Sequence, residues 1–255
     1  MLRWLLLALL LPVAAHAGPR VVVLDPGHGG TNQGAFGPTV RRYEKELTLD
    51  LARRVRRYLA QWRDDLHVVL TRERDSYLTL DQRVRKANGL AASLFVSIHF
   101  NASKTRSQRG FETFILTREA SAREAGRLAL ARTTGSGVDR GRRTVQAILA
   151  DLRQAAAHGE SARFARRVQR QLEKVRGAEL DRGVRQAPFD VLLGLRMPGV
   201  LAEVGFIDHP TESVELVRPA LLEGLAAALA AAVCEQLPRE PGRGRGLARL
   251  AAPAR

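Results

Sequence analysis

Apolar and polar positions fall into runs that change period along the chain. Arg20–Leu24 (RVVVL) is a continuous apolar stretch stopped by Pro26-Gly27, which predicts a strand buried on both faces. A glycine-rich loop follows from Gly27 to Pro38. Between Glu44 and Trp62, Leu47, Leu51, Val55 and Leu59 form one helical stripe. His67–Leu70 predicts a second strand, Leu80–Ala92 a second helix, and Leu94–His99 a third strand that again runs into a polar loop. Gly110–Leu116 (GFETFIL) alternates like a strand with one solvated face. Residues 117–176 break this rhythm: they are helix-forming throughout, with a Gly-Ser-Gly break at Gly135–Gly137, and predict a helical insertion. Gly183–Leu193 and Gly199–Phe206 return to strand character, and Pro219–Leu237 predicts a closing alanine-rich helix. Such alternation predicts an α/β three-layer sandwich, with a mostly parallel twisted central sheet flanked by helices.

The two ends do not read as parts of that sandwich. Arg3 supplies a positive start, Trp4–Val13 an apolar core and Ala15-His16-Ala17 a small-residue cleavage site, so residues 1–17 predict a signal peptide. The apolar run is too short to span a bilayer comfortably, and no membrane span is expected after its removal. Residues 18–237 are then expected to form the main folded domain, and the Pro-, Gly- and Arg-rich stretch 238–255 a basic disordered tail. The single cysteine, Cys234, rules out an intramolecular disulfide in this exported chain. A monomer is expected.

The net charge of +15 favours anionic partners, and export makes the cell envelope a better candidate than nucleic acid. Arginine-rich helices can equally be no more than solvated faces, and composition leaves both readings open.

Chemistry in an α/β sheet gathers where strands end at their carboxyl edge. His28 follows the first strand, His99 ends the third, and Glu203 lies in the late strand VLAEVGF, while Glu44 opens the first helix. Two imidazoles and a carboxylate make a normal protein set for a catalytic zinc, and a further carboxylate can move protons beside it. Each residue also has a plainer reading. A histidine ending a strand is usually a hydrogen-bonded structural residue, and Glu44 suits the N-terminal dipole of a helix. Glu203 is harder to dismiss, because an unpaired carboxylate inside an apolar strand is expensive. Spacing alone does not decide, since the separations match no short zinc motif.

Five blocks in order carry a resemblance: LDPGHGG, YEKELTLDLARRV, the stretch from VVLTRERD to SIHFNAS, GFETFIL, and RGVRQAPFDVLLGLRMPGVLAEVGFIDHPTE. Together they resemble the zinc-dependent N-acetylmuramoyl-L-alanine amidases, the amidase-3 family, of the cell-wall and cell-division type. The resemblance covers most of the chain from Arg20 to Val233 outside the helical insertion. It implies one zinc ion held by His28, Glu44 and His99, with Glu203 as the catalytic acid–base. YEKEL offers both Glu44 and Glu46, and the family ligand is the glutamate immediately before lysine, hence Glu44. The implied reaction is hydrolysis of the amide joining N-acetylmuramic acid to L-alanine in peptidoglycan, with a periplasmic location favoured. In division-type amidases a helical segment covers the zinc until an activator protein displaces it. By that resemblance residues 117–176 are an autoinhibitory candidate, with Glu119 or Glu124 approaching the metal.

Asp25 and Asn101 are expected to orient ligands or bind substrate. Phe100 stands where the family usually has a small residue, and is expected to narrow the cleft. Structural roles are expected for His67 in its strand, His158 in an inter-helix turn and His209 in a loop. A zinc carboxypeptidase is the rival enzyme, but its H-x-x-E pattern fails because Thr31 stands three residues after His28. A catalytically silent wall-binding or activator protein is the non-enzymatic rival, opposed by intact candidates at all four positions.

Overall fold

The computed structural model describes residues 19–120, 123 and 140–239, with the side chains of 140–155 left aside. The predicted signal peptide, Glu124, the Gly135–Gly137 break and almost all of the basic tail lie outside the described residues.

The elements run β1 (Arg20–Pro26), β2 (Phe36–Gly37), β3 (Arg42–Tyr43), α1 (Glu44–Trp62), β4 (Leu66–Leu70), α2 (Leu80–Gly89), β5 (Leu94–Asn101) and β6 (Phe111–Leu116). They continue with α3 (Arg140–Arg176), β7 (Asp181–Ala187), β8 (Gly199–Phe206), α4 (Glu212–Leu216) and α5 (Pro219–Gln236). Six strands form one sheet in the order β4-β1-β5-β8-β6-β7. The pairs β4-β1, β1-β5 and β5-β8 are parallel, β6 runs antiparallel to β8, and β7 runs parallel to β6. The predicted sandwich is therefore present.

Strand alternation sorts the core into two layers. Leu24, Val96, Ile98, Ala202 and Val204 point to the face covered by α1, α3 and α5. Val23, Phe95 and Leu201 point to the other face, beneath α2 and a 3-10 turn at Asp190–Leu192. The helical stripe of α1 is fully buried at Leu51, Val55 and Leu59, each worth about 1.5–3 kcal/mol relative to exposure. A capping box starts α2, with Thr79 Oγ1 accepting from the Gln82 amide and Gln82 Oε1 accepting from the Thr79 amide. By length and composition α5 could cross a membrane, but Leu225, Leu229 and Val233 on it are buried in the core.

Within the segment 117–176, Phe164, Ala165, Val168 and Leu172 of α3 are fully buried against the sheet. Two expectations need correction. His158 lies inside α3 rather than in a turn, since Gly159 does not interrupt the helix. The stretch 183–193 is a strand only as far as Ala187, where Pro188 removes an amide donor and the chain turns into the 3-10 segment.

Candidate metal centre

β1, β5 and β8 run in parallel and end at one edge of the sheet, where each delivers a side chain. His28 follows β1 by two residues, while His99 and Glu203 are register partners across β5 and β8. The loop after β1 stays attached to β5, the Gly27 amide donating to the Ile98 carbonyl at 3.0 Å. It then turns sharply, with His28 itself in the left-handed region at φ 61°. Gly27 is required by close approach: a Cβ there would lie 2.2 Å from Cε1 of His99.

Glu44 reaches the same place from the start of α1. The first amides of that helix donate to the loop, Glu44 to Ala35 O at 2.8 Å and Lys45 to Gln33 O at 3.2 Å. Glu44 is 4% exposed, and its two oxygens bridge the histidines. Oε2 lies 2.9 Å from His28 Nε2 and Oε1 lies 2.8 Å from His99 Nδ1. The amides of Ala35 and Phe100 donate to the same carboxylate, at 2.9 and 3.1 Å. Glu46 instead pairs with Arg42 at 3.2 Å at the surface.

Burial alone would raise the Glu44 pKa, but the hydrogen bonds and charges of His28 and His99 outweigh it and hold the carboxyl far below the usual range. Burial pulls the His28 imidazolium down, and the hydrogen bond and charge of Glu44 reverse this, leaving its pKa raised. His28 Nδ1 lies 2.8 Å from Asn32 Oδ1. An amide oxygen only accepts, so Nδ1 carries a proton, and Nε2, which faces Glu44 Oε2, is the nitrogen that the neutral ring would offer to a cation.

The group fits zinc on three observations. Its donors are two imidazoles and one carboxylate, a normal protein set that leaves a position open. All three ligand atoms lie within 4.8 Å of one another. Beside them, Oε2 of Glu203 is buried with no hydrogen-bond partner among the described residues. Burial, then the charge of Glu44, then that of Glu112 raise the Glu203 pKa well above an ordinary carboxyl.

A buried frame lies beneath the ligand loop. Asp25 is fully buried and accepts from Thr71 Oγ1 at 2.6 Å, Arg83 Nη1 at 2.7 Å and Ser97 Oγ at 2.8 Å. Arg83 also donates to the carbonyls of Pro26 and His28, at 2.8 and 2.6 Å. Arg72 donates to those of Pro26 and Gly27, at 3.0 and 2.8 Å, and burial lowers its pKa to about 10. Asp25 thus bears on His28 through Arg83 rather than by touching it.

A cleft of about 540 Å³ opens over these groups, lined among others by Tyr77, Leu80, Phe189 and Leu201. Asn101 lines it and donates through Nδ2 to Glu112 Oε1 at 2.8 Å. Phe100 also lines the cleft, while alternation along β5 packs it into the core of the opposite layer, where it is 1% exposed. Glu119 is not brought to the metal group. Antiparallel pairing, Glu112 with Glu203 and Phe114 with Leu201, carries the chain toward the far edge of the sheet. There Glu119 is exposed, and its charge acts on His158. Sequence reasoning missed Asn32, Arg83 and Glu112. Only Glu112 carried a usable signal, a carboxylate in the apolar strand FETFIL, the same sign that marked Glu203.

Comparison with known proteins finds similar amidases. The chain is 33% identical over 226 residues to N-acetylmuramoyl-L-alanine amidase AmiC of Escherichia coli O6:H1, covering 86% of this chain and 53% of that protein. It is 31% identical over 222 residues to N-acetylmuramoyl-L-alanine amidase AmiA of Escherichia coli K12, covering 85% of this chain and 75% of the other. Against AmiC of Escherichia coli and of Neisseria meningitidis, the chain spans about half the relative's length, 53% and 51%. Its fold superposes on the catalytic domain of CwlV, an N-acetylmuramoyl-L-alanine amidase from Bacillus (Paenibacillus) polymyxa, with TM-score 0.65 and 30% identity, covering 86% of this chain and 98% of that one. An N-acetylmuramoyl-L-alanine amidase from Clostridium difficile 630 gives TM-score 0.67 at 28% identity, covering 87% and 98%. Residues 22–235 match the family Amidase_3, described as N-acetylmuramoyl-L-alanine amidase, and the chain belongs to that family.

Proposed function

We propose that this chain is a zinc-dependent hydrolase of the amide between N-acetylmuramic acid and L-alanine in peptidoglycan, acting in cell-wall remodelling and daughter-cell separation. The observation that carries the reading is the gathering of His28, Glu44 and His99 ligand atoms within 4.8 Å, beside Glu203 on the neighbouring strand. Zinc held by these three residues would supply a Lewis acid that makes water nucleophilic near neutral pH and polarises the scissile carbonyl.

The chain's own residues do the rest. Glu203 accepts the proton of the attacking water on its carboxylate and returns it to the departing alanine nitrogen. A carboxyl pKa raised by burial and by the charges of Glu44 and Glu112 makes this group a better proton acceptor than an ordinary carboxylate. Asn32 holds the proton on Nδ1 of His28 and so keeps Nε2 as the ligand atom. Arg83 and Arg72 hold the carbonyls of the loop that carries His28.

Export to the periplasm rests on the pattern of residues 1–17. Regulation by an activator protein that displaces a covering segment within residues 117–176 is part of the same reading, and the part of α3 from Phe164 onward is packed into the core. Purified sacculi incubated with the protein, with and without chelator, test the main reading. Stem peptides beginning with L-alanine should appear by mass spectrometry only without chelator, and disaccharide products would refute it.

A further inference from the structure

β7 closes the sheet beside β6, and its register slips once. Phe111 pairs with Asp181 while Thr113 pairs with Val184, so β7 carries an extra residue between them. Gly183, at φ 82°, absorbs that residue in the left-handed region. In a regular strand Arg182 and Arg185 would face opposite sides of the sheet. The bulge turns both toward one carboxylate: Arg182 Nε lies 3.3 Å and Arg185 Nε 2.8 Å from Glu112 Oε2.

Glu112 is itself buried at 4% exposure and is the register partner of Glu203. The two arginines differ in what they have left. Arg182 stacks over the Phe206 ring at 5.0 Å and donates to Gln108 Oε1 at 2.9 Å. The Arg185 side chain is 50% exposed, and Glu112 is its one ion-pair partner among the described residues, reached through Nε. Both Nη groups of Arg185 therefore remain as a planar donor fork. Two guanidiniums share the single carboxylate of Glu112, so one positive charge of this cluster has no counter-charge within it. In the proposed substrate the lactyl carboxyl is consumed in the scissile amide, so the available anions are the free carboxylates of the stem peptide.

We infer that Arg185, anchored with Arg182 on Glu112 by the bulge at Gly183, forms an anion subsite beside Glu203 that binds a carboxylate of the stem peptide. This inference rests on the amidase reading. The test uses soluble muramyl peptides in three forms: free acid, amidated only at the second residue, and amidated only at the C-terminus. The zinc-loaded full chain should favour the free acid over one of the two amides by about tenfold or more in kcat/KM, mainly through KM; the disfavoured form identifies the bound carboxylate. Arg185→Ala should reduce that ratio to less than about twofold, with thermal unfolding used to establish that the variant is folded. Arg185→Lys keeps charge without the fork and should retain an intermediate ratio. Equal rates on all three forms by the unaltered protein, or an undiminished ratio in folded Arg185→Ala, would overturn the subsite. Cleavage of none of the three would instead overturn the amidase reading.

Discussion

Glu203 stands opposite His99 in the β5–β8 register, with Oε2 buried and unpartnered among the described residues. A carboxylate held this way is destabilised when charged, and it sits next to a ligand of the proposed metal. In the proposed mechanism His99 on β5 would help hold the metal while Glu203 on β8 would move the proton.

Glu203→Gln should therefore retain zinc and lose activity. Loss of a positioned acid–base group lowers rates by about 10²–10⁴-fold. Release of stem peptides from sacculi, measured alongside metal content of the same preparation, checks both halves. Turnover within a few-fold of the unaltered protein would remove Glu203 from the reaction.

The same substitution should act in the opposite direction on stability. In the metal-free protein burial, followed by the charges of Glu44 and Glu112, raises the Glu203 pKa above its unfolded value. Below about pH 4.3, the ordinary glutamate pKa, both states are protonated and nothing is lost. As pH rises through the folded pKa, the native state must give up a proton it holds tightly, and stability falls. Relative to its effect near pH 4, Glu203→Gln should thus stabilise the metal-free form at neutral pH, by about 1.4 kcal/mol for each pKa unit by which the folded state raises the carboxyl. The gain should fade toward pH 4 in urea titrations. A pH-independent difference would show that ionisation is not its source.

His99→Ala removes a ligand and one of the two imidazoles that hold Glu44. Zinc should be lost together with activity, as read by metal analysis after dialysis. Full occupancy in this variant would place the metal elsewhere.

Gly27→Ala is a subtler disruption of the same site. Its methyl would fall 2.2 Å from Cε1 of His99, so the ring must move. Zinc affinity, measured by competition with a chromophoric chelator, should drop by about 10–100-fold, the usual effect of disturbing ligand orientation. Unchanged affinity would mean that the loop yields without cost.

Deleting residues 119–144 addresses the regulatory reading. If residues within that span restrain the enzyme, the folded deletion variant should release stem peptides faster than the full chain. Equal or slower release would leave the segment without an inhibitory role.

Much of this architecture was legible locally. The run Val21–Leu24, the stripe of α1 and the apolar strand around Glu203 each fix their own element, because period and turn chemistry act over a few residues. The candidate ligands could be named because each lies at the end of such an element, although their convergence rested on resemblance. Glu112 shows the limit. The polar position in FETFIL was visible, but its partners Arg182 and Arg185 lie about 70 residues away and meet it only through the β7 bulge.

The sequence alone determined the types of β1, α1, β5, β8 and the closing helix α5, the glycine loop after β1 and the two-imidazole, two-carboxylate inventory, since these follow from local backbone preference and side-chain chemistry. Tertiary structure decided that Glu44 bridges His28 and His99, that α3 is a core helix, and that Glu119 lies at the far edge of the sheet. Those outcomes depend on which strands pair, in which direction and in what register, and pairing energy is shared among residues too distant in sequence for any local period to encode.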